Sequence, residues 1–292
     1  MSLRVVALVL ASCVLHAWWN LLLKRARDKM AFTALFLLLT PLLYLPMALF
    51  LAGGARIPAV GWGCMLAASA LYFGYFAALA TAYKDGELSA AYPLARGVGP
   101  ALALVWGVLF LRERPTGWGF FGVMLVVGAT VLLVRVGRGK VALRSGLPPG
   151  AVLAALVVGL MYSLYSLTDK VGVGRLHIHP ALYIYLTYAM SALAFGLWFV
   201  GRRGSEPLLA EWRANRTACT AVAALNVFSY LLVLYAMSLP GTPVSYVIPL
   251  RSVSVLIAVL LGVEVLQEGE RWSKLGAAAL MMAGIALMAW KG

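Results

Sequence analysis

Ten apolar runs follow one another along this chain, at roughly 3–23, 32–52, 60–82, 88–110, 117–136, 149–168, 180–200, 217–238, 242–262 and 272–290. Each is close to the ~20 mostly apolar residues that cross a bilayer as a helix. Hydrocarbon offers no partner to backbone N–H and C=O groups, so such runs must close their own hydrogen-bond ladders. An all-α integral membrane fold follows. The breaks carry charge and turn residues: Lys24-Arg25-Ala26-Arg27-Asp28-Lys29, Gly53-Gly54, Arg112-Glu113-Arg114-Pro115, Gly137-Arg138-Gly139-Lys140 and Gly201-Arg202-Arg203-Gly204. None leaves room for a soluble domain, which argues against receptors and enzymes with large exposed parts. Of the 292 residues, 63% are hydrophobic and 12% charged, whereas soluble domains sit near half and a quarter. Lipid is the solvent of this chain.

The first run has a competing reading. Met1 to Cys13 ends in Leu10-Ala11-Ser12-Cys13, which imitates a lipoprotein signal. A cleaved signal would be followed by a polar chain. Here the apolar run continues to Leu23 and further runs follow, so 3–23 is expected to be the first membrane helix. Cys13, Cys64 and Cys219 lie inside apolar runs without ligand spacing and read as small hydrophobes, not a metal or disulfide set. Lys and Arg outnumber Asp and Glu by 24 to 10. The basic residues gather in the short breaks, chiefly those after odd-numbered runs, as the positive-inside rule requires of loops beside anionic lipid. That bias predicts both termini outside the cytoplasm of a bacterial-type inner membrane. No basic and aromatic module lies outside the runs, so nucleic acid is not an expected partner.

Sparse internal similarity divides the chain into 1–140 and 141–292. Pro93-Leu94 recurs as Pro249-Leu250, and at the same offset Ser89 meets Ser245 and Gly128 meets Gly284. Glu113 meets Glu268 after a one-residue slip. In the opening runs of each half, His16, Trp19, Asn20 and Lys24 fall over Tyr162, Tyr165, Ser166 and Lys170. The matches fall on polar residues and prolines, which membrane helices use sparingly. An odd number of spans per repeat forces the second copy to enter the membrane in the opposite sense. The expected architecture is ten transmembrane helices as two inverted five-helix repeats, a plan that places a solute site between the halves near the midplane.

An ionisable side chain at the centre of a membrane helix costs about 2.5–3.5 kcal/mol on insertion scales, and so points to function. Arg96 lies in Tyr92-Pro93-Leu94-Ala95-Arg96-Gly97-Val98-Gly99-Pro100, and Arg251 in Tyr246-Val247-Ile248-Pro249-Leu250-Arg251-Ser252. The prolines interrupt the helical ladder and the glycines let backbone approach a ligand. Arginine keeps its charge, so a cavity holding either one is positive and suits a carboxylate, phosphate or phosphonate bound bidentately. Tyr92 shares a helix face with Arg96, while Tyr246 and Ser252 flank Arg251. The competing structural reading pairs these arginines with Glu264 or Asp169, or sends them to an interface.

His16, Asn20 and Lys24 recur every four residues and form one polar stripe, with Trp19 beside it. Its counterpart carries Tyr162, Tyr165, Ser166 and Lys170, with Asp169 adjacent. The lysines read equally as interfacial anchors, Asn20 as a lock between helices and His16 as a core histidine. His16, Asp169 and Glu264 are the candidate proton carriers. Aromatics crowd the third run (Tyr72, Phe73, Tyr75, Phe76) and the eighth (Phe228, Tyr230, Tyr235). Most are expected to pack or to form interface belts, and a subset to wall a cavity. No Walker, dinucleotide-binding, zinc or nucleophile-elbow motif is present, so no ATP-driven or other enzymatic activity, cofactor or metal is expected.

The layout, the proline-bearing fourth and ninth runs, and Arg112-Glu113-Arg114-Pro115-Thr116-Gly117-Trp118-Gly119 leading into a Gly-rich fifth run resemble the EamA-type branch of the drug/metabolite transporter superfamily. The resemblance covers nearly the whole chain. Within that branch, His16-Ala17-Trp18-Trp19-Asn20 with Lys24, Tyr92-Pro93-Leu94-Ala95-Arg96-Gly97, and Asp169-Lys170 are similar to a subgroup associated with phosphonate-utilisation gene clusters. It implies a ten-helix carrier that works by alternating access without ATP, its cavity lined by runs one, three, four, six, eight and nine. The membrane glutamate of the small multidrug-resistance relatives is absent from the first run, where Asn20 and Lys24 stand, which counts against export of cationic drugs. Sugar-phosphate carriers of the same superfamily hold anions with basic cavity residues and are the closer chemical analogy. The expected function is secondary transport of a small organic anion or zwitterion (a phosphonate, phosphate ester or amino acid), coupled to protons or a counter-substrate. Two alternatives stay open: an exporter of aromatic or amphipathic metabolites, and an anionic-lipid flippase or non-transporting membrane scaffold.

Overall fold

Helix ends leave backbone groups without partners, and in this chain the polar breaks supply them. The computed structural model describes residues 1–85, 88–137, 149–254, 256–257 and 271–291, with side chains except for Lys24, 82–97, 133–137, 149, 151–152, 155, 271–275 and 291. Every regular element among the described residues is helical. They are α1 (Leu3–Arg25), α2 (Lys29–Ala52), α3 (Ala59–Asp85), α4 (Leu88–Leu111), α5 (Gly117–Gly137), α6 (Pro149–Asp169), α7 (Pro180–Arg203), α8 (Glu206–Ser238), α9 (Val244–Leu250) and α10 (Arg271–Lys291). A π-helical turn, Lys170–Arg175, extends α6. Asp28 caps α2 by accepting the Met30 and Ala31 N–H groups at 3.0 and 3.1 Å. Pro180 opens α7 behind His179, whose Nδ1 accepts the Ala181 N–H, and Gly204 at φ 72° closes it.

Two elements depart from the sequence expectation. The eighth apolar run forms the later part of a longer helix: α8 begins at Glu206 and kinks at Asn215, where φ is −136°. Its first stretch is polar and escapes a hydropathy reading. The ninth run, expected to be one span, is interrupted after Leu250. Pro249 has no N–H to give the Ser245 carbonyl, and the chain tightens. The Ser252 N–H bonds the Pro249 carbonyl at 2.9 Å and the Ser254 N–H bonds the Arg251 carbonyl at 3.1 Å. The Cys13 thiol faces the Leu250 and Arg251 carbonyls at 3.9 and 3.5 Å, so this cysteine is also a donor to the broken helix. Glu264 and Glu268 lie outside the described residues.

The packing has a two-fold pattern. α5 lies on α10 and α2 on α7; α1 lies on α8 as α3 lies on α6; α2 touches α8 as α3 touches α7; and α4 meets α6 as α9 meets α1. Exchanging each of the first five helices with the one five places later maps this set onto itself. Met1 and Lys170 line the same end of the bundle, so α1 begins where α6 ends and the halves run in opposite senses. At the α5–α10 crossing a Cβ on Gly122 would lie 2.7 Å from the Gly284 carbonyl oxygen, so only glycine permits this approach.

Exposure is inverted relative to a soluble protein. Leu49, Phe50, Leu197 and Trp290 are 65, 87, 68 and 81% exposed, while Arg251, Asp169 and His16 are buried. Among the described residues, five helices, α1, α2, α3, α7 and α8, are long and apolar enough to cross a membrane, and Val98–Leu111, Gly117–Leu132 and Gly276–Trp290 are shorter apolar helices.

Candidate functional site

The break after Pro249 sets Arg251 on a turn between the two halves. Its Nη2 lies 3.2 Å from His16 Nδ1, and its guanidinium carbon is 4.7 Å from the Tyr230 ring centroid and 5.8 Å from that of Tyr162. Such distances allow cation–π attraction. The Trp19 indole donates to the same His16 Nδ1 at 3.1 Å. Indole and guanidinium nitrogens are donors only, so Nδ1 is the acceptor and the imidazole proton sits on Nε2. The Asn20 amide donates to the His16 carbonyl at 2.8 Å, a local bond that fixes the stripe on α1. Gly99 leaves the room that Tyr162 needs, since a Cβ there would lie 2.6 Å from its ring.

Tyrosines enclose this cation. Tyr72 stacks on Tyr165 with centroids 4.2 Å apart, Tyr75 meets Tyr165 edge-on at 5.6 Å, and Tyr188 donates to Asn226 at 2.8 Å. The space left between these side chains, His16, Trp19 and Arg251 is about 10 Å³, enough for a single water. The centre is shut in this conformation.

Asp169, the last residue of α6, is fully buried on the far side of Tyr230. Its Oδ2 accepts hydroxyl bonds from Tyr72 at 2.9 Å and Tyr230 at 2.7 Å. Oδ1 accepts none among the described residues, and the buried Tyr183 hydroxyl is a third neighbour. Tyr230 therefore connects a cation to an acid: its ring faces Arg251 and its hydroxyl bonds Asp169.

Larger cavities open at the two ends of the bundle. One, of about 490 Å³, is lined by Met1, Glu113, Lys170, Arg175 and Tyr246 among others. There the Glu113 carboxylate accepts the Val244 and Ser245 N–H groups at 2.7 and 3.0 Å, so an acid of the first half caps α9 of the second. Arg175 donates to the Leu111 carbonyl and Lys170 to the Met237 carbonyl. The other cavity, of about 610 Å³, lies between the α1–α2 connection and the end of α7. Arg203 grips Asp28 with contacts of 2.6 and 3.2 Å, and Glu211 accepts the Asp28 N–H at 3.2 Å and the Asn215 amide at 2.6 Å. Burial tends to raise the Asp28 carboxyl, but bonds from Arg203, Ala31 and Met30 outweigh it and hold the group below its usual value.

Of the residues singled out from sequence, His16, Trp19, Tyr162, Tyr165 and Arg251 meet at the centre, with Asn20 and Ser252 buried alongside and Asp169 behind Tyr230. Lys170 and Tyr246 lie at the end cavity instead; the Tyr246 hydroxyl accepts the Thr116 N–H at 3.1 Å. Tyr92 and Arg96 are on α4 and Lys24 on α1, but their side chains lie outside the described set, as does Glu264 altogether. Tyr72, Tyr75, Phe76 and Tyr230 wall the centre. Phe73 packs on Phe195 and Trp198, while Phe228 and Tyr235 face outward. Tyr188 and Asn226 are additions. Asn226 was within reach of the same argument, as a polar residue inside an apolar run.

Two oppositely running helical halves enclose a buried polar centre between them. The model of the EamA-like transporter family matches residues 3–135 and 149–290, and the chain belongs to that family. The fold is shared with a solved protein described only as "Crystal structure of protein", at a TM-score of 0.75, 17% identity and 99% coverage of both chains. No curated protein matches.

Proposed function

We propose that this transporter is a secondary carrier for a small organic anion or zwitterion, with ten helices crossing a bacterial-type inner membrane and alternating access without ATP. The observation that carries this reading is Arg251, buried where the halves meet, against His16 and over Tyr230. A guanidinium does not escape burial by losing its proton. Its planar array of N–H donors suits a carboxylate, phosphonate or phosphate ester bound bidentately. Arg96, three residues after Pro93 as Arg251 is two after Pro249, is proposed as a second anion-holding group.

The sealed centre between two end cavities suits an occluded carrier. Opening toward one end breaks the Asp28–Arg203–Glu211 cluster; opening toward the other breaks the Glu113 cap and the Arg175–Leu111 bond. Asp169 is the group proposed to couple protons to transport. Its Oδ2 already holds two hydroxyls and its Oδ1 has room for a proton. The polar groups facing it are Tyr72 and Cys64 from α3, Tyr183 from α7, Tyr230 from α8 and Arg251 after α9. His16 is the poorer carrier, because protonating Nδ1 would set it against two donors.

The tyrosine wall favours a second reading, export of aromatic metabolites. Proteoliposomes loaded with labelled phosphonates, phosphate esters and amino acids separate the two. The anion reading expects saturable flux of an acid-bearing solute that Arg251→Gln lowers about 100-fold, the scale of losing a buried charge partner. Flux unchanged in Arg251→Gln, or confined to uncharged aromatic solutes, would sink it.

A further inference from the structure

The cavity of about 610 Å³ at the Arg27 end plays no part in the acid-binding centre. Its walls come from both halves: Arg27 and Asp28 from the α1–α2 connection, Lys29 from the start of α2, and Trp198, Phe199, Arg202 and Arg203 from the end of α7. Four cations and one acid line it, with Glu211 behind on the Asp28 N–H, and Asp28 is already engaged by Arg203 and the α2 N-terminus. Arg27, Lys29 and Arg202 leave a surplus of positive charge. The floor is apolar, made by Met30, Ala80, Trp198 and Phe199, with Arg202 5.9 Å over the Trp198 ring and Arg203 5.3 Å over that of Phe199. On the same helix, α7, the apolar side chains Leu193, Leu197 and Val200 are exposed.

A soluble anion would use the cations and leave the aromatic floor idle, whereas an anionic lipid uses both. We infer that this cavity is a binding site for the phosphate-bearing headgroup of an anionic phospholipid. Guanidinium groups hold phosphate bidentately, and basic pockets at the ends of membrane helices suit such headgroups. Because the cations come from both halves, a bound headgroup ties them together at this end, alongside the Asp28–Arg203 pair.

The test uses the full chain in nanodiscs of phosphatidylcholine, with or without phosphatidylglycerol. Native mass spectrometry counts retained lipid, and thermal unfolding gives Tm. Arg27→Gln/Arg202→Gln removes two cations and leaves the Asp28–Arg203 pair intact; Lys29→Gln removes one and guards against a misfolded double variant. Retained phosphatidylglycerol and a raised Tm are expected for the natural chain. Near an anionic surface each basic residue is worth about fivefold in affinity, so losses of about fivefold and 25-fold are expected for the single and double variants. Their Tm values in pure phosphatidylcholine should match that of the natural chain. No preference for phosphatidylglycerol, or equal retention by the variants, overturns the assignment. So does a full Tm shift from inorganic phosphate in phosphatidylcholine discs, which would make the site one for soluble phosphate.

Discussion

Arg251 sits where it does because the helix that carries Pro249 ends at Leu250, one residue earlier, and Tyr230 links it to Asp169. If Asp169 carries the coupling proton, Asp169→Asn abolishes the acceleration of uptake by an inward proton gradient. The variant should still bind solute, a split read by comparing gradient-driven uptake with equilibrium binding. Retained acceleration would place the coupling proton elsewhere. Arg251, His16 and Asp169 are legible in the sequence because an ionisable group in an apolar run is expensive wherever it points. Tyr188 and Asn226 are less so, since what places them is a bond across 38 residues of chain. Lys170 reads as a cavity residue on a 3.6-residue period. It stands where α6 gives way to the π-turn, and its ammonium reaches the Met237 carbonyl.

Among the elements, α9 is short, and two features hold it: the Glu113 carboxylate at its first N–H groups and the Pro249 break at its end. Glu113→Gln keeps the shape and removes the charge, so a loss of about 1 kcal/mol in denaturant unfolding is expected, in the range of helix caps and charge–dipole effects. Pro249→Ala gives the Ser245 carbonyl a helical partner again. It should lower uptake at least tenfold without lowering stability, because it straightens the segment that presents Arg251. The apolar runs locate nearly every helix, since length and hydropathy are what lipid selects. The polar front of α8 stays hidden because it lacks hydropathy; Pro249 marks an interrupted ladder in the sequence, but the residue at which the chain breaks depends on how it answers the proline.

For the whole molecule, the two-fold packing puts Gly122 against Gly284 at the α5–α10 crossing. Gly122→Val should cost about 1–3 kcal/mol, as overpacking does, visible as a lower Tm. At the Arg203 end, Asp28 carries a lowered carboxyl, so its contribution to stability is present above the ordinary value of 3.8 and fades as pH falls through the folded value. The pair is partly exposed, so Asp28→Asn should cost under about 1 kcal/mol of pair energy at pH 7, a difference that disappears in acid. The repeat is legible in a handful of prolines and polar residues; the contacts at each end are not, because they join residues from opposite halves. The claim on which all of this depends is that the closed centre holds an acid through Arg251. Isothermal titration of the purified carrier with the best-transported solute, against Arg251→Gln, measures that directly. Saturable binding weakened about 100-fold in the variant is the expected result, and equal affinity in the two proteins would mean that Arg251 does not hold the acid.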